Sequence, residues 1–496
     1  CGILFQAYGD IFSFCIYFCL VGLTLILLSY HPKIALRYKW NFLFGTGFFL
    51  LLFTVGVFAQ QQTEAKQEWD IPSDIHLYEG LLIDEPLPKP KTIQCKLKII
   101  NSEEEIIDQV FNKKAIIYLP QNEASHELNL GDKLLFYGKL EESPPFLKKQ
   151  SFASSGFVNQ EDWIKKDSES AFSISIKALQ IRRFFLNKLQ KIIPDKNNYS
   201  LAAALMFGYK YDLDKDLRQS FANIGAGHIL AVSGLHFSIV FGMFYFFLSF
   251  LGNSFRGRII KNTIILPLIW GFAFLTGLSP SVIRAASMIS IWSIGNMFFY
   301  RGFTLNTIAV SAFFMLLLQP EYLFDVGFQL SFSAVISIVL FNSYIQKLYE
   351  TKNRIINYAW NLTSVSFSAQ IGVLPLSLYY FNQIPIVFLI TNWLLIPLVT
   401  ILLFLLIFCL LLSYLWSNVF FINVILNKIL SFFLSIVSFL DHLPYRSIDN
   451  IQITILETGL SYIVIACIIF FFLKKRILYL YPVIIIVMFL LIYYLC

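Results

Sequence analysis

The sequence predicts a polytopic α-helical membrane protein with one small, extracytoplasmic all-β domain inserted after its first hydrophobic segments. Three observations predict it. Only 14% of the 496 residues are charged while 57% are hydrophobic, where a soluble chain of this length carries about a quarter charged residues. Apolar runs near the roughly 20 residues that a spanning helix needs recur along the chain, and one stretch of about 120 residues breaks the pattern with Lys, Glu and Pro.

The first two runs are Ile11–Leu28 and Phe42–Ala59. The chain opens on Cys1 and not Met, and Cys1–Ala7 reads as the tail of a hydrophobic segment that begins earlier. Lys33, Arg37 and Lys39 lie between these runs. Because short cytoplasmic loops are enriched in Lys and Arg, this loop is placed inside, and residues 1–59 form the N-terminal membrane segment. Residues 60–180 then lie outside the cytosol.

Within that stretch, strand-like runs occur at Ile93–Asn101, Ala115–Leu119, Lys133–Leu140 and Phe172–Ala178, punctuated by Pro86–Pro90, Gly131-Asp132 and Pro144–Pro145. Cys95–Ile99 and Ser173–Lys177 alternate with the period of two that a half-buried strand shows. Short strands with turns between them point to a small barrel of OB-like type. Residues 181–198 follow as an amphipathic interfacial helix and linker: Arg182, Arg183, Lys188 and Lys191 alternate with Phe184, Phe185, Leu186 and Leu189, the mix that lies at a membrane surface.

Residues 199–496 form the main membrane domain, with further runs at Ile229–Leu251, Asn262–Gly277, Val282–Tyr300, Ser331–Phe341, Ile384–Leu412, Val419–Leu440, Leu460–Leu473 and Ile477–Leu495. Counting spans puts Arg256, Arg258 and Lys261 inside, together with Lys347, Lys352, Arg354, Lys474, Lys475 and Arg476. The seven Cys are scattered, with Cys95 alone in the soluble stretch, and no Cys/His cluster has metal-ligand spacing. No metal or other cofactor is expected.

Four constellations carry information. In GAGHILAVSGLHFSIV, a continuous helix places Gly227, Ala231, Gly234 and Ser238 on one stripe, where a neighbouring helix can approach closely. Ser233 and His236 lie on the other side. An ionisable group inside a membrane is functional by default, although a packing hydrogen bond would also account for His236. In GLSPSVIRAASM, Ser279 fits an N-cap and Pro280 the first helical position. A helix start with Arg284 one turn in makes an anion site, and an Arg snorkelling to the interface is the alternative. In DVGFQLSFS, Asp325 and Gln329 share a face with Ser333, either as interhelical glue or lining a pore. In SFSAQIGVLPLSLYY, Gln370 reads as a buried polar side chain and Pro375 as a helix break; Pro397 suggests a second break after Asn392. Such breaks occur along transport paths and in kinked packing helices alike.

The order GHILAVSGLH, PSVIRA, GFQLSF, AQIGVLPL and NWLLIPLV resembles the ComEC family of bacterial competence proteins, and GDKLLFYGKL resembles strands of that family's N-terminal domain. The likeness runs from about Phe42 to about Leu440. It implies a channel for single-stranded DNA in the bacterial cytoplasmic membrane during natural transformation. The matching positions are Ser233, Gly234, Leu235 and His236; Pro280, Ser281, Arg284 and Ala285; Gly327, Phe328, Gln329, Leu330 and Ser331; and Gln370 and Pro375. The resemblance also implies an external DNA receptor and a cytosolic helicase-like ATPase, and leaves room for a separate nuclease and a homodimer. Where the family has an Asn-Pro-Gly-type stretch, this chain reads Glu141–Pro145. The family's metallo-β-lactamase-like nuclease needs clustered His and Asp. The six His, at 31, 76, 126, 228, 236 and 442, form no such cluster, so nuclease activity is not expected here. With no Walker A sequence, an ATP-driven motor would be another protein. The net charge of +7 is a poor DNA signal, because much of the excess follows the positive-inside rule. The alternatives are an intramembrane enzyme using Ser233 and His236, and a small-solute transporter with its site at broken helices.

Overall fold

The computed structural model describes residues 1–9, 11–30, 41–67, 74–103, 111, 113–143, 152, 154–166, 174–298, 305–415, 420–444 and 446–486. The Lys33–Lys39 loop, Glu104-Glu105, Pro144-Pro145, Phe172-Ser173 and the last residues of the final apolar run lie outside the described residues. The chain divides into two units, residues 1–181 with 313–323 and residues 182–312 with 324–496.

The first unit opens with helices α1 (Gly2–Tyr8), α2 (Cys15–Ser29) and α3 (Asn41–Gln67). Helices α2 and α3 pack backbone to backbone: a Cβ on Gly47 would lie 2.6 Å from the Gly22 carbonyl oxygen, and one on Gly22 would lie 2.9 Å from that of Gly47. Small residues permit this approach where lipid supplies no hydrophobic drive between helices. Helix α3 outruns its apolar stretch, because Gln60 donates to Glu64 at 2.9 Å and Thr63 to the Ala59 carbonyl at 2.9 Å.

The sheet comprises β1 (His76–Leu82), β2 (Leu87–Pro88), β3 (Thr92–Ser102), β4 (Lys114–Pro120), β5 (Lys133–Gly138), β6 (Glu141–Glu142), β7 (Ser154–Phe157) and β8 (Trp163–Lys166), with the short helix α4 (Glu123–His126) between β4 and β5. The order is β6-β7-β4-β3-β1-β5-β8, with β2 beside β3. Pairing is antiparallel except between β4 and β7. The period-two pattern is realised on β3: Cys95, Leu97 and Ile99 are fully buried beside Tyr78, Leu134 and Phe136. Burial pushes the Cys95 thiol up to about 12.

The fourth expected strand is a correction. Residues Ile174–Ile192 form helix α5. Five alternating residues are too few to impose a strand, whereas Ile176, Leu179, Leu186, Leu189 and Ile193 recur at helical spacing over eighteen. Ile176 and Leu179 pack with Leu81 and Leu130, while Leu186 and Leu189 are buried in the core of the second unit.

The second unit contains α6 (Lys196–Phe207), α7 (Lys215–Asn223), α8 (Gly234–Phe247), α9 (Phe255–Leu275), α10 (Pro280–Met297), α11 (Leu305–Leu318), α12 (Val326–Gln346), α13 (Arg354–Phe381), α14 (Phe388–Leu415), α15 (Phe420–Asp441) and α16 (Ile455–Lys474); α11 continues into the segment 313–323 assigned to the first unit. Among the described residues of the whole chain, seven helices are long and apolar enough to cross a membrane. Helix α6 is buried from Asn198 to Phe207. Strands β9 (Gln383–Pro385) and β10 (Ser447–Asp449) tie the α13–α14 loop to the α15–α16 loop. Below them Asp441 accepts from Ser220 at 2.8 Å and Asn223 at 2.9 Å, and pairs with Arg446 at 3.1 Å.

Three expectations change. The run from Ile229 is not one helix: residues 225–233 are non-helical and α8 begins at Gly234. Gly227 and Ala231 therefore share no helical stripe with Gly234 and Ser238. Gly225 in the left-handed region (φ 75°) opens the non-helical stretch and the Ser233 cap closes it, and Ser238 merely donates to the Gly234 carbonyl at 2.8 Å. Helices α13 and α14 run unbroken through Pro375 and Pro397, because neighbouring helices hold them on both sides of each Pro.

Candidate functional site

The site is built where helix starts meet. Leu278 takes a left-handed conformation (φ 52°), turning the chain so that Pro280 begins α10. Ser279 occupies the N-cap position as expected, but its hydroxyl makes no cap bond; its carbonyl accepts from Val282 at 2.9 Å. Helix α12 begins close by: a Cβ added to Gly327 would lie 3.8 Å from Ser281 Oγ and 3.0 Å from Asp325 Oδ1. Asp325 is the cap of α12, its carboxylate accepting from the Phe328 amide at 2.8 Å. It thus precedes the helix and does not share a helical face with Gln329.

Arg284 lies one turn into α10, 94% buried, as its exposure is 6%. Its Nη1 has no hydrogen-bond partner, and the guanidinium makes no ion pair among the described residues. Asp325 is the acid whose charge reaches it. Burial removes the snorkelling account, which requires the head group in water. Burying a cation costs several kcal/mol, to which the positive end of α10 adds and which the Asp325 carboxylate capping α12 offsets in part. The arrangement suits an anion.

Ser233 and His236 are brought together as a cap on α8. The Ser233 amide donates to His236 Nδ1 at 3.3 Å, and the Ser233 hydroxyl lies 3.0 Å from the same atom. Nδ1 is therefore an acceptor. His236 is fully buried and its Nε2 has no partner. A Ser–His nucleophile needs a third group to orient the imidazole, and none of the described residues bonds Nε2.

The other polar residues glue helices together. Gln329 accepts from Tyr380 Oη at 2.9 Å. Ser333 donates to the Gly372 carbonyl, and Tyr462 Oη donates to that carbonyl at 2.8 Å. The pairs Gln329–Tyr380, Asn342–Ser364 and Gln346–Asn361 rise along α12 as they fall along α13, so the two helices are antiparallel. A Cβ on Gly372 would lie 2.6 Å from both the Ser333 oxygen and Ser337 Cβ. Asn392 and Trp393 bond Ser366 and Thr363, each at 3.0 Å. Gln370 is half-buried, not buried as expected, and Ser331 is likewise half-buried; Pro375 is buried. Sequence reading missed Gly372, Tyr380 and Tyr462. The Gly-x-x-Pro spacing signalled the first, and nothing local marked the tyrosines.

Residues 205–476 match the profile of the family described as "Competence protein". The chain is 31% identical over 224 residues to ComE operon protein 3 of Bacillus subtilis, covering 45% of this chain and 27% of that one. It is 26% identical over 266 residues to Recombination protein 2 of Haemophilus influenzae, covering 50% and 33%. An uncharacterized protein of Aquifex aeolicus is 32% identical over 161 residues, covering 32% and 37%. The aligned parts span about a quarter to a third of these relatives' lengths. No solved structure matches. With the profile covering more than half of the chain and the motif order from GHILAVSGLH to NWLLIPLV falling within it, the chain belongs to the ComEC family of competence proteins.

Proposed function

We propose that this multi-pass membrane protein forms the path by which single-stranded DNA enters the cytosol in natural transformation. The observation that carries the reading is Arg284: a buried guanidinium beside two helix starts, with no hydrogen-bond partner for its Nη1 among the described residues, in a family named for competence. A phosphodiester supplies the negative charge and the planar oxygen pair that an Arg fork grips. Ser281, the nearby hydroxyl of α10, supplies a further donor to the same group.

The supporting reading of orientation is unchanged. Arg256, Arg258, Lys347, Lys352, Arg354, Lys474 and Lys475 lie at the helix ends opposite the α10 and α12 starts, so the positive-inside rule puts Arg284 near the outer face of a bacterial cytoplasmic membrane. The sheet is read as an OB-like barrel outside it: six antiparallel strand pairings, a helix between β4 and β5, and a parallel return of β7 onto β4 are the features that support this. Moving each phosphate inward against an inside-negative potential costs roughly 2.3 kcal/mol per 100 mV. A cytosolic helicase-like ATPase is the proposed source of work, with an external receptor delivering DNA and a separate nuclease supplying single strands.

The test is Arg284→Gln, read as entry of labelled DNA per molecule of membrane-inserted protein. One charge-assisted bond of about 1.5–3 kcal/mol corresponds to a loss of roughly 10- to 100-fold. Arg284→Lys rescues in part, because an ammonium lacks the fork. Normal entry with Arg284→Gln overturns the reading.

A further inference from the structure

We propose that the outer face of β1, β5 and β8 is a membrane-contact surface that rests the barrel on the lipid headgroups. On β5 the inward residues Leu134 and Phe136 are fully buried, so Leu135 and Tyr137 point outward. Tyr137 pairs directly with Leu77 of β1, and Leu135 with Ile164 of β8. These four side chains make one contiguous patch. Tyr137 is 47% exposed and Ile164 65% exposed, with Ile75 and Leu77 exposed at the start of β1.

Two features select lipid as the occupant. The first is tethering. Ile75 follows Ala65, the last residue of the second apolar span, by ten positions, a reach of at most about 35 Å, so the start of β1, which carries Ile75 and Leu77, is tied to the end of that span. The second is continuity. Lower on the same face, Leu81 is covered by Ile176 of α5, and the uncovered side of that helix repeats the pattern with exposed Ile174, Lys177 and Ile181. Tyr is suited to this depth, with its ring among acyl carbons and its hydroxyl in water. The proposal rests on the membrane character of the chain and is independent of DNA passage.

The experiment places the photo-crosslinking residue p-benzoyl-phenylalanine at Tyr137, Ile164 or Pro90 of the full chain in cell membranes, followed by mass analysis of adducts. Pro90, exposed in the turn between β2 and β3, lies beyond the end of β3 that is away from the start of β1. Lipid adducts about tenfold more abundant at 137 and 164 than at 90 are the expected result for a face held in the headgroup layer. Cross-links to a second copy or another protein at 137 and 164 would overturn the proposal in favour of a protein interface. Equal lipid labelling at all three positions, or none, would overturn it as well.

Discussion

Two polar regions of the helical unit contrast sharply. Between α12, α13 and α16, Ser333, the Gly372 carbonyl and Tyr462 satisfy one another, and Gln329 meets Tyr380. At the starts of α10 and α8, Arg284 Nη1 and His236 Nε2 are buried without hydrogen-bond partners among the described residues. A satisfied polar group in an apolar bundle is explained by packing alone. An unsatisfied one is a standing cost that packing does not explain. Ser occurs in the motifs of both regions, and Ser337 Oγ of α12 and Asn392 Oδ1 of α14 are also buried without a hydrogen-bond partner among the described residues, so what sets the second region apart is that Arg284 buries a cation, which costs far more than an unpaired hydroxyl.

The comparison breaks most severely at Gly372. A leucine there would drive side-chain atoms into the Ser333 carbonyl and Ser337, each 2.6 Å from the first added carbon. Neither is a flexible side-chain end. Overpacking of this kind costs about 1–3 kcal/mol or more. Gly372→Leu is expected to abolish the monodisperse, detergent-extracted protein. A normal elution profile would show that α12 and α13 are not locked at this level.

The sign of a stability change sharpens the contrast next. Replacing a buried cation that has no ion-pair partner by an apolar side chain of similar volume removes the desolvation penalty of the charge. Arg284→Met is expected to leave the melting temperature equal or higher while DNA entry fails. Tyr462→Phe should do the reverse: it removes the donor to the Gly372 carbonyl, lowers stability by about 1 kcal/mol, and leaves DNA entry intact. A destabilised Arg284→Met protein would mean that the guanidinium holds the bundle together.

These contrasts also show what was legible beforehand. Apolar length revealed the spans, because no other architecture needs so many runs near 20 residues. Alternation revealed β3, where Cys95, Leu97 and Ile99 point inward. It misled at Ser173–Lys177, where the period of two lasts five residues and the helical period continues far beyond it. The Pro280 start and Arg284 could be read from local chemistry. The lack of a hydrogen-bond partner for Arg284 Nη1 among the described residues could not, because it depends on where α12 places Asp325. The Gly227–Ser238 stripe failed for a local reason. Treating Gly225–Val240 as one helix ignored a Ser-x-x-His capping pair that starts a new one at Gly234. Tyr380 and Tyr462 were illegible because their partners lie 51 and 90 residues away.

The smallest effect addresses Gln329, which the sequence left between glue and pore lining. Its carbonyl oxygen accepts from Tyr380 at 2.9 Å, placing it with the satisfied group although it lies one turn beyond Asp325. Interhelical hydrogen bonds of this type average about 0.6 kcal/mol in membrane bundles. Tyr380→Phe and Gln329→Leu should therefore each lower thermal stability slightly. The double variant should lose less than the sum of the two, because both remove the same bond. DNA entry per folded molecule should stay within about twofold of the parent in all three, since a loss of 0.6 kcal/mol leaves nearly every molecule folded. Additive stability losses would mean that the pair does not interact. A large transport defect confined to Gln329→Leu, at unchanged stability, would move Gln329 from the glue to the path and extend the Arg284 site one turn further along α12.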